Sequence, residues 1–251
     1  MNEKPLALVT GAARGIGLAT SLWLLRNQYR VIMIDRDPIN PTCQALSEHQ
    51  SSVFPFVADV TDMNSIHVLH QEMHQRWGSL RVLVNNAGIS YKQADGKAST
   101  LISMSEHEWE TVLAVNLTAV ARLCRLFLPE MCDSGFGRIV NVASLAGRTQ
   151  SKVAGPAYVT AKSGVIGLTR SIAGDFGQFG VTANCVAPGR IISEMSGPAD
   201  TAVNQQYLQR IPSARFGTVD EVAAAIGYLA SDAAGFVNGA VIDINGGAFM
   251  A

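Results

Sequence analysis

The stretch LALVTGAARGIG, residues 6–17, joins a short apolar run to a helical one through a turn that contains Gly11, Gly15 and Gly17. Glycines permit positive φ angles and let the backbone approach a ligand closely. The N-terminus of the following helix has free N–H groups and a partial positive charge, which suits a pyrophosphate. Because the spacing is GxxxGxG rather than the usual GxGxxG, the stretch predicts a phosphate cradle only together with its surroundings.

Six further short runs rich in Val and Ile alternate with amphipathic helical windows. The predicted strands are 6–10, 31–35, 53–59, 81–86, 138–144, 181–188 and 240–246. Their hydrophobicity is continuous, as expected for a parallel sheet covered on both faces, and right-handed crossovers place helices on both sides. The sequence therefore predicts an α/β fold with a single doubly wound, Rossmann-like parallel sheet of about seven strands. Two later helices are expected to begin with capping boxes, Ser105 with Glu108 and Thr218 with Glu221.

No linker, repeat or low-complexity segment divides the 251 residues, so one catalytic domain is predicted for 1–251. Residues 190–212 interrupt the strand–helix rhythm with Ser, Gly, Pro and Asn. This segment is too polar for a core and too long for a plain connection. We interpret it as a mobile substrate flap with one short helix; a structured surface excursion is the alternative.

The composition argues against several classes of protein. A net charge of −1 disfavours a non-specific nucleic-acid binder and a polybasic membrane surface. No apolar run approaches the roughly 18 residues of a membrane span. Four cysteines without CxxC pairing indicate buried thiols in a reducing compartment. We expect a cytoplasmic protein without nucleic-acid or membrane partners.

A phenol and an ammonium share one helical face in AYVTAK, residues 157–162, because Tyr158 and Lys162 are one turn apart. A tyrosine with a pKa of about 10 is nearly inert as a proton carrier at neutral pH, and a nearby cation lowers that pKa. The pair is either a lysine packed beside a core aromatic or an acid/base device.

Asp35 ends the predicted second strand. A carboxylate there can accept hydrogen bonds from an adenosine ribose diol and would repel a 2′-phosphate, so it favours NAD over NADP. Arg14 and Arg36 leave NADP open, because guanidinium groups could accommodate the extra phosphate.

Six motifs occur in register along the chain: TGAARGIG (10–17), NNAG (85–88), Asn116, Ser144, AYVTAK and APG (187–189). In order and approximate spacing they resemble those of the short-chain dehydrogenase/reductase family, from Leu6 to INGG (244–247). The resemblance implies a role for each of four catalytic residues. Tyr158 is the general acid/base, Lys162 binds the nicotinamide ribose and lowers the tyrosine pKa, Ser144 hydrogen-bonds the substrate oxygen, and Asn116 holds a water of a proton relay.

The same resemblance implies which residues contact the cofactor, expected to be NAD with NADP possible. Besides Tyr158 and Lys162 they are Gly11, Arg14, Gly15, Ile16, Gly17, Asp35, Arg36, Asp59, Val60, Asn86, Ala87, Gly88, Pro188, Gly189, Ile191 and Ser193. The family often has Thr at the last of these positions, and serine keeps the hydroxyl.

Two segments are longer than is usual in the family, one between Gly88 and Asn116 and one between Ser144 and Tyr158. Both are expected to border the substrate pocket. Five polar residues on them hint at a polar or anionic ligand: Lys92, Gln93, Arg148, Gln150 and Lys152.

His67, His70 and His74 fall on one face of a predicted helix. No carboxylate or thiol completes a ligand set at metal-binding spacing. We expect a solvated polar face and no metal site.

Two predicted helices, around residues 117–131 and 157–176, are rich in Ala, Leu and Gly. In the family the corresponding helices pack between subunits, so a homo-oligomer, specifically a homotetramer, is expected. Burial within one chain is the alternative.

The leading hypothesis is an NAD-dependent dehydrogenase that acts on a small secondary alcohol or its ketone. The alternative enzyme is an NADPH-dependent ketone reductase resembling the 3-oxoacyl-acyl-carrier-protein reductases. A hypothesis from another class is a nicotinamide-binding sensor without catalysis.

Overall fold

The computed structural model describes residues 4–39, 46–93, 96–151, 153–192 and 201–251, the last range without the side chains of residues 202 and 203. Seven strands form one sheet. They are β1 (Leu6–Thr10), β2 (Arg30–Asp35), β3 (Val53–Val57), β4 (Val82–Asn85), β5 (Gly137–Val142), β6 (Val181–Pro188) and β7 (Val241–Ile244). All pairings are parallel and the order is β3-β2-β1-β4-β5-β6-β7. The predicted doubly wound sheet is confirmed.

The helices of the described residues connect these strands. They are α1 (Gly15–Arg26), α2 (Met63–Trp77), α3 (Glu106–Leu113), α4 (Ala119–Asp133), α5 (Pro156–Phe176), α6 (Ala202–Leu208) and α7 (Val219–Ala230), and a π-helical turn, Ala114–Thr118, joins α3 to α4. The short helix predicted within 190–212 is α6.

Both faces of the sheet are buried, which explains the continuous hydrophobicity of its strands. In β1, Leu8 belongs to the cluster that packs against α2, α4 and α5. Its neighbours Ala7 and Val9 belong to the cluster on the opposite face, where α1 and α7 pack. Successive side chains of a strand point to opposite faces, so each strand supplies both cores.

The strand order reverses between β1 and β4, and the carboxyl ends of these two strands border a crevice. Gly11 follows β1, and a Cβ on it would lie 2.9 Å from the Cα of Ala87, which follows β4. Ligands of open α/β sheets bind at such a switch point. The fold therefore brings the first two predicted glycine-containing motifs together.

Only one of the two predicted capping boxes is complete. Thr218 and Glu221 make both reciprocal hydrogen bonds at the start of α7. Ser105 accepts from the backbone N–H of Glu108 at 3.1 Å, but the buried Glu108 carboxylate accepts from the hydroxyl of Ser99 instead of returning to the cap. The Ser105–Glu108 box is therefore half formed, because the Glu108 side chain hydrogen-bonds with Ser99 and not with the backbone of Ser105.

The continuous helical run Glu106–Asp133 is long and apolar enough to meet a length-and-composition criterion for a membrane span. The sequence expectation that no run approaches this length is thus too strict. The run packs within the fold, with Leu123 and Phe127 in the core that covers one face of the sheet. A buried core helix passes the same criterion, so the run is weak evidence for a membrane location.

Candidate active site

The glycine-rich turn after β1 is closed by contacts that exclude side chains. Gly11 and Gly15 have φ angles of +65° and +57°. A Cβ on Gly17 would lie 2.0 Å from the carbonyl oxygen of Gly11, so only glycine fits there. The first turn of α1 contains no acidic residue and its N-cap makes no side-chain cap bond. These features leave the helix N-terminus suited to a phosphate group.

Asn86 holds this turn against the end of β4. Its side-chain amide donates to the carbonyl oxygens of Thr10 and Gly11 at 2.9 and 3.0 Å. The hydroxyl of Thr10 in turn accepts from the backbone N–H groups of Asn86 and Ala87, both at 3.0 Å. Asn86 therefore positions the cradle, and Thr10 is a positioning residue that the motif analysis missed although it begins the motif.

The adenosine end of the cleft contains two carboxylates rather than one. Asp35 accepts from the backbone N–H of Ala13 at 2.9 Å and from that of Asp37 at 3.1 Å. Arg14 forms a 2.7 Å ion pair with Asp37, and the Nε of Arg36 lies 3.9 Å from the same carboxylate. Asp37 was not predicted, and it engages both arginines that would have to receive a 2′-phosphate.

The other predicted residues of this end lie with them. One cavity is lined by Gly11, Arg14, Gly15, Ile16, Asp35, Arg36, Asp59, Val60, Asn86, Ala87 and Gly88, together with Ala58, Ile89 and Val115. Gly17 is buried beneath this cavity and supports its wall.

A second cavity of about 410 Å³ brings Ser144, Tyr158 and Lys162 together. Ser144 follows β5 and caps a short 3₁₀ turn by accepting from the N–H of Ala146 at 3.1 Å. Tyr158 and Lys162 come from the first two turns of α5. Ile16, Asn86 and Gly88 line both cavities. The two cavities are therefore halves of one cleft across the carboxyl ends of the strands.

The protein groups alone do not acidify Tyr158. Burial raises the pKa of its phenol above 10.0, and a hydrogen bond with the Ser144 side chain opposes the rise. The Nζ of Lys162 lies 5.8 Å from the centroid of the Tyr158 ring. It donates a hydrogen bond to the carbonyl oxygen of Val142 at 2.7 Å. Burial lowers the pKa of Lys162 from 10.5 to about 8. The role that the resemblance gives Lys162, lowering the tyrosine pKa beside a bound nicotinamide, stays a prediction.

Asn116 lies in the π-helical turn between α3 and α4 and is fully buried. Its amide accepts from the N–H of Ile89 and donates to the carbonyl of Ile89, both at 2.8 Å. The side chain thus fixes the chain after β4 beside Lys162. The water-holding role implied by the family resemblance stays a prediction.

The residues after β6 lie against the end of β7. Gly189 donates to the carbonyl of Ile244 at 2.9 Å, and a Cβ on it would lie 2.8 Å from the Cβ of Asn245. Pro188, Gly189 and Ile191 line the second cavity; their contact with the nicotinamide stays a prediction. Ser193 and Lys152 lie outside the described residues.

The far end of the second cavity carries positive charge. Lys92, Arg190 and Arg210 line it, and among its described lining residues there is no aspartate or glutamate. Gln150 also lines it, as do Thr149 and Ser151 from the longer segment before Tyr158. Both longer segments thus border the pocket as expected. Tyr207 and Phe249 complete this end and were not predicted.

Two of the predicted rim residues point elsewhere. Arg148 makes a two-pronged ion pair with Asp243, with distances of 3.3 and 2.9 Å. Gln93 donates to Ser103 at 3.0 Å. Neither is among the lining residues of the cavity, because each has a polar partner within its own part of the fold.

A parallel sheet with a glycine cradle at its switch point, and with a tyrosine, a serine and a lysine at the adjoining cavity, defines the class of nicotinamide-dependent oxidoreductases. A family model described as enoyl-(acyl carrier protein) reductase matches residues 11–248. The chain belongs to the short-chain dehydrogenase/reductase family.

Individual relatives share almost the whole chain. It is similar to the 3-oxoacyl-(acyl-carrier-protein) reductase FabG of Staphylococcus aureus, strain Mu50, with 36% identity over 97% of this chain and 98% of the relative. A crystal structure of a 3-oxoacyl-(acyl-carrier protein) reductase from Brucella melitensis has a TM-score of 0.91 and 33% identity, covering 99% of this chain and 93% of that one. Another such reductase from Brucella melitensis, solved with bound NAD, has a TM-score of 0.89 and 32% identity, covering 100% and 93%.

Proposed function

We propose that this protein transfers a hydride between NAD(H) and the carbinol carbon of a secondary alcohol or its ketone, with Tyr158 as general acid/base. The observation that carries the proposal is the meeting of Ser144, Tyr158 and Lys162 at one cavity that continues into the phosphate cradle. Nicotinamide, when bound, supplies the hydride chemistry. The protein has to position the substrate and move one proton.

The proton travels through the Oη of Tyr158. During ketone reduction that oxygen gives its proton to the substrate oxygen as the carbon receives the hydride, and during alcohol oxidation it takes the proton back. Ser144, whose side chain is hydrogen-bonded with Tyr158, donates to the same substrate oxygen while negative charge develops on it. Positive charge near the Tyr158 phenol allows it to act as an acid and a base. Lys162 and a cationic nicotinamide together offset the burial that raises the tyrosine pKa.

The arrangement at the adenosine end supports NAD(H) over NADP(H). Asp35 places a negative charge at the ribose position. Asp37 holds Arg14 at 2.7 Å and lies near Arg36, so a 2′-phosphate would have to displace a carboxylate from both guanidinium groups. We regard Asn116 as a positioning residue and the other lining residues of the cradle as the cofactor contacts.

The alternative is a ketone reductase acting on 3-oxoacyl thioesters with NADPH, and the names of the relatives favour its substrate class. The cofactor does not separate the two completely, since one of these reductases is known with bound NAD. The positive charge around Lys92, Arg190 and Arg210 suits a carboxylate on a small hydroxy acid or the phosphates of a thioester carrier.

A kinetic comparison tests the proposed function. Initial rates are measured with NAD(H) and NADP(H), using hydroxy acids and polyols in one direction and acetoacetyl-coenzyme A in the other. We expect a higher kcat/KM with NAD(H) and a loss of at least ~1,000-fold in kcat for Tyr158→Phe, with retained NADH binding. Preference for NADPH with the thioester would establish the alternative, and an active Tyr158→Phe variant would refute the mechanism.

We also propose that 1–251 acts as one domain and that the segment 190–212, of which 193–200 lie outside the described residues, closes over the substrate. Arg190, Tyr207 and Arg210 from this segment line the cavity, and Arg190 stacks over the ring of Tyr207 at 5.3 Å. The cytoplasmic location stays a prediction.

A further inference from the structure

A second cluster of titratable side chains lies away from the cleft. His70 and His74, one turn apart on α2, meet Glu130 on α4. The Nε2 atoms of the two histidines are 3.2 Å apart. Glu130 places Oε2 3.1 Å from His74 and Oε1 3.8 Å from His70. The expectation of a plain solvated face rested on the lack of a carboxylate at ligand spacing, and the fold supplies that carboxylate from a distant helix.

These separations match those between ligands of one metal ion. Zinc–nitrogen and zinc–oxygen bonds of about 2.0–2.2 Å at a tetrahedral angle place neighbouring donor atoms about 3.3 Å apart. The histidine–histidine and His74–Glu130 distances are close to this value. All three ligand atoms lie within 4.8 Å of one another. Two imidazoles and a carboxylate are a donor set that divalent transition metals accept.

The carboxylate of Glu130 lacks compensation from the protein. Oε2 accepts from the backbone N–H of Leu80 at 3.3 Å, whereas Oε1 is buried without a hydrogen-bond partner in the described residues. Only 12% of the side chain is exposed, and burial raises the pKa of Glu130 to about 7. A buried carboxylate oxygen without a donor is unfavourable unless a cation neutralises it.

We propose that His70, His74 and Glu130 bind one divalent transition-metal ion of the zinc class, which links α2 to α4. Leu80 comes just before β4, so the site lies at the amino ends of the strands, opposite the cleft. His74 is 39% exposed, which leaves room for water as the fourth ligand.

Metal binding to the intact protein, expressed without a histidine tag and stripped with a chelator, tests this proposal. Co²⁺ is titrated while its visible absorption is recorded, and Zn²⁺ is then added in competition. We expect one equivalent of Co²⁺ to give a tetrahedral spectrum that Zn²⁺ abolishes. The thermal midpoint is expected to rise when Zn²⁺ is present.

Three variants assign the ligands. His74→Ala and Glu130→Gln are expected to weaken Zn²⁺ binding by about 100-fold, and glutamine keeps an oxygen for the Leu80 N–H. His67→Ala is the matched control. His67 lies one turn before His70 on α2, is exposed and contacts the Met63 carbonyl. It should bind like the wild type. A wild type without a saturable one-equivalent site, or a folded His74→Ala variant with unchanged affinity, would overturn the proposal. Dehydrogenase activity is not a readout here, so the two proposals fail independently.

Discussion

Lys162 carries a charge in one of the least accessible parts of the molecule, 4% exposed. It donates to the Val142 carbonyl, and burial holds its pKa at about 8 rather than 10.5. Burial therefore disfavours the charged form of the side chain and brings its pKa close to neutral pH. Function explains why such a residue is present, since core packing alone would favour an apolar side chain.

Replacing this lysine is expected to separate stability from activity. Because the folded pKa lies below the unfolded one, folding releases the lysine proton between about pH 8 and 10.5, so folding becomes more favourable as pH rises through this range. Lys162→Met should be inactive yet more stable than the wild type at pH 7, by about 1–2 kcal/mol after the lost Val142 hydrogen bond is counted. Urea unfolding at pH 7 and pH 10 measures the difference, which should shrink at the higher pH. A pH-independent difference would contradict the inferred burial cost.

Asp37 is the residue that the sequence analysis lacked for cofactor choice. Asp37→Asn should weaken the 2.7 Å contact with Arg14 and raise kcat/KM for NADPH several-fold, with little change for NADH. Asp35→Asn should raise it by about 10-fold, equivalent to ~1.4 kcal/mol, and should also weaken NADH binding. Steady-state kinetics with both cofactors check this. Unchanged NADPH kinetics in both variants would show that the two carboxylates do not control selectivity.

Among the elements, the turn after β1 combines the side-chain hydrogen bonds of Asn86 and Thr10 with a close backbone approach at Gly17. A methyl group on Gly17 would overlap the Gly11 carbonyl, whereas one on Gly174 in α5 would meet nothing within 4 Å. The same substitution thus has opposite consequences in two helices. The geometry of the cradle requires glycine at position 17 but not at position 174.

Gly17→Ala is expected to lower the free energy of unfolding by about 1–3 kcal/mol and NADH affinity by at least ~10-fold, since the turn has to open. Gly174→Ala, the matched control, should leave NADH binding unchanged and stabilise α5 by about 0.5–1 kcal/mol. Fluorescence titration with NADH and urea unfolding measure both effects. Equal behaviour of the two variants would refute the close-contact explanation.

The sequence predicted the existence and type of every strand, because a parallel sheet imposes apolar runs of the right length. The bounds of β1 and β6 agree with prediction, while β3 ends at Val57 and β7 at Ile244, earlier than expected. Ala58 is buried beyond the end of β3. Apolar character therefore continues into the cleft wall, where it no longer indicates a strand.

Thr10 and Asp37 were missed although they adjoin predicted residues, whereas three other contacts were missed because they join different elements or segments. The Asn116–Ile89 pair, the Glu108–Ser99 pair and the approach of Glu130 to two histidines cannot be seen from spacing along one element. The motif residues could be placed because ligand-binding geometry is repeated across a family. No comparable motif marks Lys92 or Arg210 as lining the cavity. Their polarity alone does not indicate a site, since loop residues are polar for many reasons.

At the scale of the whole molecule, the outer face of α5 suggests how copies of the chain associate. Ser163, Gly167 and Ser171 are exposed there, and small residues let two helices approach closely. The homotetramer implied by the family stays a prediction. It agrees with this face, which the other described residues leave exposed.

Light scattering after size-exclusion chromatography should give a mass of four times 26.7 kDa. Gly167→Arg, which adds a long charged side chain to the outer face of α5, should reduce that mass while the circular dichroism spectrum stays the same. A monomer in the wild type, or a tetramer that the arginine leaves intact, would show that α5 is not an interface.

The decisive measurement is the pKa of Tyr158 with and without cofactor, because the proposed mechanism needs this phenol to carry the proton. Ultraviolet difference titration of the wild type against Tyr158→Phe isolates this phenol from the other four tyrosines. The account predicts ionisation above pH 10 in the free protein, where burial raises the pKa, and well below pH 10 when NAD⁺ is bound. A phenol whose pKa stays above 10 with NAD⁺ bound would contradict the proposal that Tyr158 carries the proton.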